Sequence, residues 1–347
     1  MLPSPMLARL QGWYAPPEAD LFMHQGVRYP ACFFPAGAAQ RQAVNSILGP
    51  APTEQEDLTR FPFLAREHLL ARQQGGHTLH DNPTFVLGRL QVAPTLHLTA
   101  RLGSYFNMLM TCDALEHELR AACANGAPCP EAKALPLRQH LASPAALFDG
   151  HNRSAIIGMT VLVVYARDGT YWSLVGERSG RTAIEPGRLQ VIPAGVFGPI
   201  SADIAGEWDL QRGMLRETLE ELFGLEDATP GQVPLGYFAD FPAYRRLVDL
   251  LAGGGAALRL AGIAVNLLTL RPEVCAVLLI HDPTWAAQLD PQHISWEMAG
   301  RQLYHVPVAE DAAVLAALPA DAAARFTPQG SVALWAGLAL ARQELSR

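Results

Sequence analysis

The strongest chemical signal in this 347-residue chain is the segment Arg216-Glu217-Thr218-Leu219-Glu220-Glu221-Leu222-Phe223-Gly224-Leu225. At about 100° per residue, a helix puts Glu217, Glu220 and Glu221 on one face. Leu215, Leu219 and Leu222 fall on the opposite face, where they would dock the helix on a sheet. Three carboxylates this close repel one another. A hard divalent cation, Mg²⁺ or Mn²⁺, takes oxygen ligands and relieves that repulsion. Such a site can bridge phosphate oxygens and activate a water. Taken alone, the same residues fit the solvated acidic face of an ordinary amphipathic helix equally well.

Composition narrows the chemistry. The chain has 26 basic side chains, and only one of them, Lys133, is a lysine. A P-loop, a protein kinase and a Schiff-base enzyme each need a lysine in a defined context. Lys133, in Cys129-Pro130-Glu131-Ala132-Lys133, matches none of them. Phosphate handling therefore falls to Arg, backbone N–H groups or a metal. A net charge of -7 gives no basic footprint for nucleic acid, so DNA or RNA is not expected as a partner. No G-x-S-x-G or G-x-G-x-x-G is present, which leaves a nucleophile-elbow hydrolase and a Rossmann cofactor site without support. The five cysteines show no C-x-x-C and read as reduced thiols, Cys123 and Cys129 included. No signal peptide or membrane span is evident, so a cytoplasmic protein without a membrane role is expected.

Around the acidic helix the sequence resembles the Nudix hydrolase family, whose signature is G-x5-E-x7-R-E-U-x-E-E-x-G-U, with U aliphatic. The resemblance covers roughly residues 152–345. It implies an α/β fold: an α/β/α sandwich around a mixed sheet, here preceded by a mixed α/β extension. It implies hydrolysis of a diphosphate linkage in a nucleoside diphosphate derivative or related nucleotide, with Mg²⁺ or Mn²⁺ as cofactor. Carried over by position, Glu217, Glu220 and Glu221 match the metal-binding residues, Arg216 the orienting arginine and Gly195 the start of the loop. The departures are specific. The loop between Gly195 and Arg216 is longer than the signature allows, and the first Glu of the signature falls on Trp208, with Glu207 one position away as its substitute metal ligand. Thr218 replaces an aliphatic residue, and two residues rather than one separate Glu221 from Gly224. These departures keep an alternative open, a catalytically weak or inactive nucleotide-binding or regulatory module. Family members take a further base or ligand from outside the box, for which Glu297 and Glu273 are the candidates. Arg178 and Arg181 are candidates for substrate phosphates, and Tyr237, in an aromatic loop running to Tyr244, for substrate contact.

The elements that must position these residues follow from pattern. The run from Ile156 to Tyr165 is rich in β-branched residues and reads as a buried strand. Asp168-Gly169 reads as a hairpin turn, and Tyr171 to Val175 as the return strand. Further strands are expected over 189–195, 263–270 and 274–281, the last two joined by Arg271-Pro272-Glu273. Helices are expected over 207–223, 310–318 and 328–345. Two domains follow from length: residues 1–148, of unassigned role, and 149–347, carrying the chemistry. In the first, 85–98 reads as strand, 113–124 as a short helix ended by Asn125-Gly126-Ala127, and 130–144 as a linker or short helix. A homodimer through the N-terminal half is compatible with this reading. His77, His80 and Asp81 have ligand-like spacing but read better as a turn. Cys112 with His117 would suggest a thiol nucleophile, yet both fall near an ordinary helix.

Overall fold

The computed structural model describes residues 2–14, 21–75, 79–124, 128–182, 184–226 and 228–347. His77 and the expected turn at 125–127 lie outside these residues. The strands are β1 (Met23–His24), β2 (Val27–Arg28), β3 (Ala31–Pro35), β4 (Pro83–Gln91), β5 (His97–Ser104), β6 (Gly158–Arg167), β7 (Thr170–Arg178), β8 (Leu189–Val191), β9 (Ala194–Val196), β10 (Ala256–Asn266), β11 (Arg271–Ile280) and β12 (Met298–Pro307). The helices are α1 (Ser4–Tyr14), α2 (Arg66–Gln74), α3 (Tyr105–Met108), α4 (Ala114–Ala122), α5 (Ile204–Glu207), α6 (Leu210–Leu222), α7 (Pro242–Ala252), α8 (Asp311–Ala316), α9 (Ala322–Arg325) and α10 (Pro328–Leu345).

The β-branched run at 156–165 becomes β6, at the centre of an eight-stranded mixed sheet ordered β12-β7-β6-β11-β10-β3, with β8 on β7 and β9 on β6. β6 runs parallel to β11, from Glu273 opposite Gly158 to Ile280 opposite Tyr165. A parallel pair is covered on both faces, which is why β6 is apolar without alternation. Met159, Val161 and Val163 pack with Leu215 and Leu219 of α6. Leu162 and Val164 pack on the other face with Leu334 and Leu338 of α10. The molecule is thus an α/β/α sandwich, as expected. Fully burying one such side chain, Leu219 for example, is worth about 1.5–3 kcal/mol.

The N-terminal half is built into this core. β3 closes one edge of the main sheet, antiparallel to β10. The β4–β5 hairpin is held by Phe85 N–H to Phe197 C=O at 2.9 Å, Ile157 N–H to Phe85 C=O at 2.9 Å and Leu87 N–H to Ala155 C=O at 2.8 Å. Phe85 packs edge-on against both Phe197 and Trp208. Residues on both sides of position 148 belong to one hydrophobic cluster.

Several local expectations are corrected. Pro272 does not make the β10–β11 turn; that turn is 267–270, with Leu270 at φ 57°, and Pro272 sits inside β11 opposite Val265. Its missing N–H is harmless because β6 begins opposite the next residue, Glu273. The aromatic loop at 237–244 is a 3-10 turn followed by α7, with Pro242 in the first helical turn, where its lack of an N–H costs nothing. Cys123 and Cys129 are joined as a disulfide rather than being two thiols. Cys112 is buried, donates to Ser154 C=O and is pushed up to about 11 by burial, so it is no thiolate nucleophile. No helix among the described residues is long and apolar enough to cross a membrane.

The expected linker at 130–144 carries the fully buried Arg138. Its guanidinium donates to the Tyr14 hydroxyl at 2.9 Å and to the carbonyls of Leu267 at 3.1 Å, Leu115 at 3.0 Å and Leu268. One side chain therefore ties α1, α4 and the β10–β11 turn together. Arg138→Met leaves those buried acceptors without a donor, and the expected cost is about 3 kcal/mol or more. A urea unfolding midpoint measures it; a loss below about 1 kcal/mol would show that the acceptors find other donors.

Candidate metal and phosphate site

Helix α6 is fixed at both ends before any ligand is considered. Asp209 caps its start, its carboxylate accepting the N–H of Arg212 at 3.0 Å. Asn45, from the N-terminal half, accepts the N–H of Leu210 at 2.8 Å and donates to Asp209 at 2.9 Å. At the far end Gly224 takes φ 70°, a left-handed conformation that a side chain disfavours. The extra residue before this glycine is Phe223, the C-cap, and its buried ring packs against Trp285.

Arg216 is 4 % exposed. Its guanidinium lies 3.2 Å from Glu217, 3.6 Å from Glu220 and 3.9 Å from Glu207. Burial alone would lower its affinity for a proton, but these carboxylates raise it, Glu217 foremost. Glu207 is buried and its Oε1 accepts the N–H of Ser201 at 3.1 Å. It stands behind Arg216 and is not among the residues lining the cleft. Trp208, where the signature has its first Glu, is a core residue stacked on Phe197 at 5.1 Å and donating to Gly49 C=O at 2.8 Å.

The acidic face of α6 looks into a cleft of about 530 Å³. Glu217, Glu220 and Glu221 line it together with Gly195, Arg216, Arg178, Glu273 and Glu297. Gly195 makes a close approach: a Cβ there would fall 1.8 Å from Glu217 Oε2 and would displace that carboxylate. Glu221 is buried, its Oε2 3.4 Å from the Ala194 N–H. Its carbonyl accepts the N–H of Ser295 at 3.0 Å, which anchors the loop carrying Glu297. Burial, then the negative charges of Glu297 and Glu217, hold the Glu221 carboxyl well above the usual range. Glu273 hydrogen-bonds Thr160, and its carboxyl is raised mainly by burial.

Other expected contacts lie elsewhere. Arg178 does line the cleft, but its Nε donates to Ile184 C=O at 2.9 Å and its Nη1 to Gln190 at 3.0 Å. Arg181 sits over the Trp296 ring at 5.1 Å; Trp296 lines the cleft and Arg181 does not. Tyr237 also lies outside the lining, its hydroxyl 3.4 Å from Glu226 C=O. Sequence pattern did not single out Glu185, Gln190, Arg271 or Thr84 for the site, all of which line the cleft; Tyr105, one of the aromatic residues available for stacking on a base, lines it as well. His80 lines it too, whereas Asp81 accepts the N–H of Phe106 in α3 at 2.8 Å, a cap on a distant helix rather than on its own turn.

The donors suit a hard cation by type, since they are carboxylate oxygens with mutually unfavourable charges. Among the described residues no three His, Cys, Asp or Glu side chains are drawn together as a ready-made cage. The glutamates are arrayed along one wall, with Arg216 behind them as a permanent counter-charge.

Glu185 gives a pH test of the cleft's far end. It accepts from Gln329 at 3.0 Å and is raised to about 7 by burial first and by the charge of Glu116 second. Between the ordinary value of 4.5 and about 7, the folded chain holds this proton and the unfolded chain does not. Its contribution to stability is therefore present at low pH and lost as pH rises through that window. Glu185→Gln keeps an acceptor for Gln329 and should flatten the fall in unfolding free energy between pH 5 and pH 7. An unchanged slope would place the titration on another group.

No family model matches the chain, and no curated protein matches it. Solved structures do. A Nudix hydrolase from Alicyclobacillus acidocaldarius is similar at 17% identity and TM-score 0.27, over 50% of this chain and 96% of that one. An Ap4A hydrolase of C. elegans is similar at 14% identity and TM-score 0.24, over 52% and 98%. A Nudix hydrolase of M. smegmatis is similar at 10% identity and TM-score 0.27, over 55% and 87%. Likeness at this level carries no residue roles across, and the functional reading rests on the cleft itself.

Proposed function

We propose that the protein is a metal-dependent hydrolase of the Nudix type, cleaving a diphosphate linkage in a nucleotide or related compound. The observation that carries this reading is the cleft wall formed by Glu217, Glu220, Glu221 and Glu297, backed by the buried Arg216 and closed by Gly195. In this reading Glu217, Glu220, Glu221 and Glu297 hold Mg²⁺ or Mn²⁺. A cation held there supplies charge neutralisation for phosphate oxygens and a more acidic water.

The chain's own residues do the positioning. Arg216 reduces the repulsion between Glu217 and Glu220 and limits their rotamers through its fixed planar fork. Glu207 serves it from behind, so its role is orientation rather than ligation. Gly195 lets β9 approach the Glu217 carboxylate without a side chain between them. Arg178 adds positive charge, and its influence reaches Glu221, Glu273 and Glu185. Residues 1–148 would shape the substrate pocket through His80, Thr84 and Tyr105.

Trp208 in place of the signature's first Glu favours the second reading, a nucleotide-binding module with little or no turnover. Assays separate the two. Dinucleotides, nucleotide sugars and nucleoside triphosphates should release phosphate-containing products only with Mg²⁺ or Mn²⁺. Glu220→Gln and Glu221→Gln should each lower kcat by about a hundredfold or more, since each removes charge that the transition state uses. Turnover left intact by both would refute the site assignment. Tight ligand binding with no turnover under any divalent metal would establish the binding module instead.

A further inference from the structure

Three arginines line the cleft among the described residues, and two of them are committed. Arg216 is held by carboxylates, and Arg178 by Ile184 C=O and Gln190. Arg271 is different. Its Nε is buried with no hydrogen-bond partner, and no ion pair holds its guanidinium among the described residues. Its strand neighbour on the same face, Glu273, feels its charge but makes no hydrogen bond to it; that carboxyl is bonded to Thr160 and packed against Gly158.

Two hydroxyls line the same cleft. Thr84, in β4, is 2 % exposed and its Oγ1 has no partner. Tyr105, at the end of the β4–β5 hairpin, lines the same cleft. Burial pushes its hydroxyl up to about 12, so it remains a donor throughout the physiological range, and the charge of Arg271 acts on it. A guanidinium and two hydroxyls from three separate elements thus line one cleft, and the guanidinium is near enough to Tyr105 for its charge to act on that hydroxyl. An unsatisfied buried donor is costly, and an anion with several acceptor oxygens would satisfy it.

We propose that Arg271, Thr84 and Tyr105 form a phosphoryl-binding subsite, taking a phosphoryl group of the substrate other than the pair at the carboxylate wall. The proposal rests on the hydrolase reading for the identity of its substrate, and it deepens that reading. The substrate class becomes compounds with at least one phosphoryl group beyond the diphosphate that is cleaved. That group is either a third member of a linear chain or a monoester elsewhere on the molecule. The N-terminal hairpin then has a definite task, which is selection by phosphate number.

The test uses the full chain with Mg²⁺ and inorganic tripolyphosphate, with binding followed by calorimetry. Arg271→Ala should weaken binding about tenfold, the loss expected for one charge-assisted contact. Arg271→Lys should recover part of it, and Tyr105→Phe, which removes one oxygen and little else, should weaken binding a few-fold. In kinetics, Arg271→Ala should raise KM about tenfold for substrates with the additional phosphoryl, change kcat less than threefold, and raise KM less for simple diphosphates. Linear triphosphates and diphosphates carrying a separate monoester, assayed in parallel, identify which source supplies the group. Wild-type protein that does not bind tripolyphosphate, or an Arg271→Ala variant that binds it equally well, overturns the subsite. Binding lost in Arg271→Ala with no substrate turned over leaves the subsite standing and removes the hydrolase reading. Turnover with Arg271→Ala unchanged in both affinity and KM removes the subsite alone.

Discussion

A guanidinium buried among carboxylates is the constraint on which the rest of this structure depends. Arg216 is out of water, and a charge in that position is tolerable only if it is paired and hydrogen-bonded. Its partners, Glu207, Glu217 and Glu220, come from two helices and must converge on one point. Convergence requires that α6 enter at one angle, which the Asp209 and Asn45 caps determine. It has β9 pass close by, where glycine at 195 leaves the Glu217 carboxylate undisplaced. It also requires that the segment before α6 fold back, and there Trp208 locks into the aromatic cluster with Phe85 and Phe197. Loss of the central ion cluster would therefore disturb packing and chemistry together.

The same aromatic cluster explains why the N-terminal half belongs to the site. Phe85 is in β4, and its backbone joins Phe197 and Ile157 by hydrogen bonds. A hairpin held that way presents Thr84 and Tyr105 to the cleft on rigid backbone. Asn45 does the equivalent at the start of α6. Specificity in such folds resides in what is added around a common sheet. Here the addition is hydrogen-bonded into the edge of the sheet instead of tethered beside it.

How much was legible in advance follows from the range of the interactions involved. The period of α6 was readable because Leu215, Leu219 and Leu222 need a core and the glutamates need solvent or a cation, both local requirements. β6 was readable because burial on two faces leaves no room for alternation. β12 was not, because Met298-Ala299-Gly300-Arg301-Gln302-Leu303 has no strand period, and its place beside β7 includes a register irregularity. Pro272 reads as part of a turn in the sequence, but it sits inside β11 where the strand has no partner to receive an N–H.

The sequence by itself determined the chemistry on offer: clustered carboxylates at helical spacing, a hard cation as their natural complement, and arginine as the available base type in a chain with one lysine. It also determined which face of α6 would carry that chemistry, because helical periodicity is a property of neighbouring residues. Only the tertiary structure decided how each charge is used. It set Glu207 and Trp208 behind the wall, brought Glu297 to Glu221 through the Ser295 contact, and placed Arg181 on Trp296. It held Arg216 and Arg178 by carboxylates and acceptors and left Arg271 without an ion pair among the described residues, in a cleft that Thr84 and Tyr105 also line. The reason is physical. A buried charge takes its partner from whatever packing brings within a few ångströms, whether that is the next residue, as Glu217 is to Arg216, or one on a distant segment, as Glu297 is to Glu221.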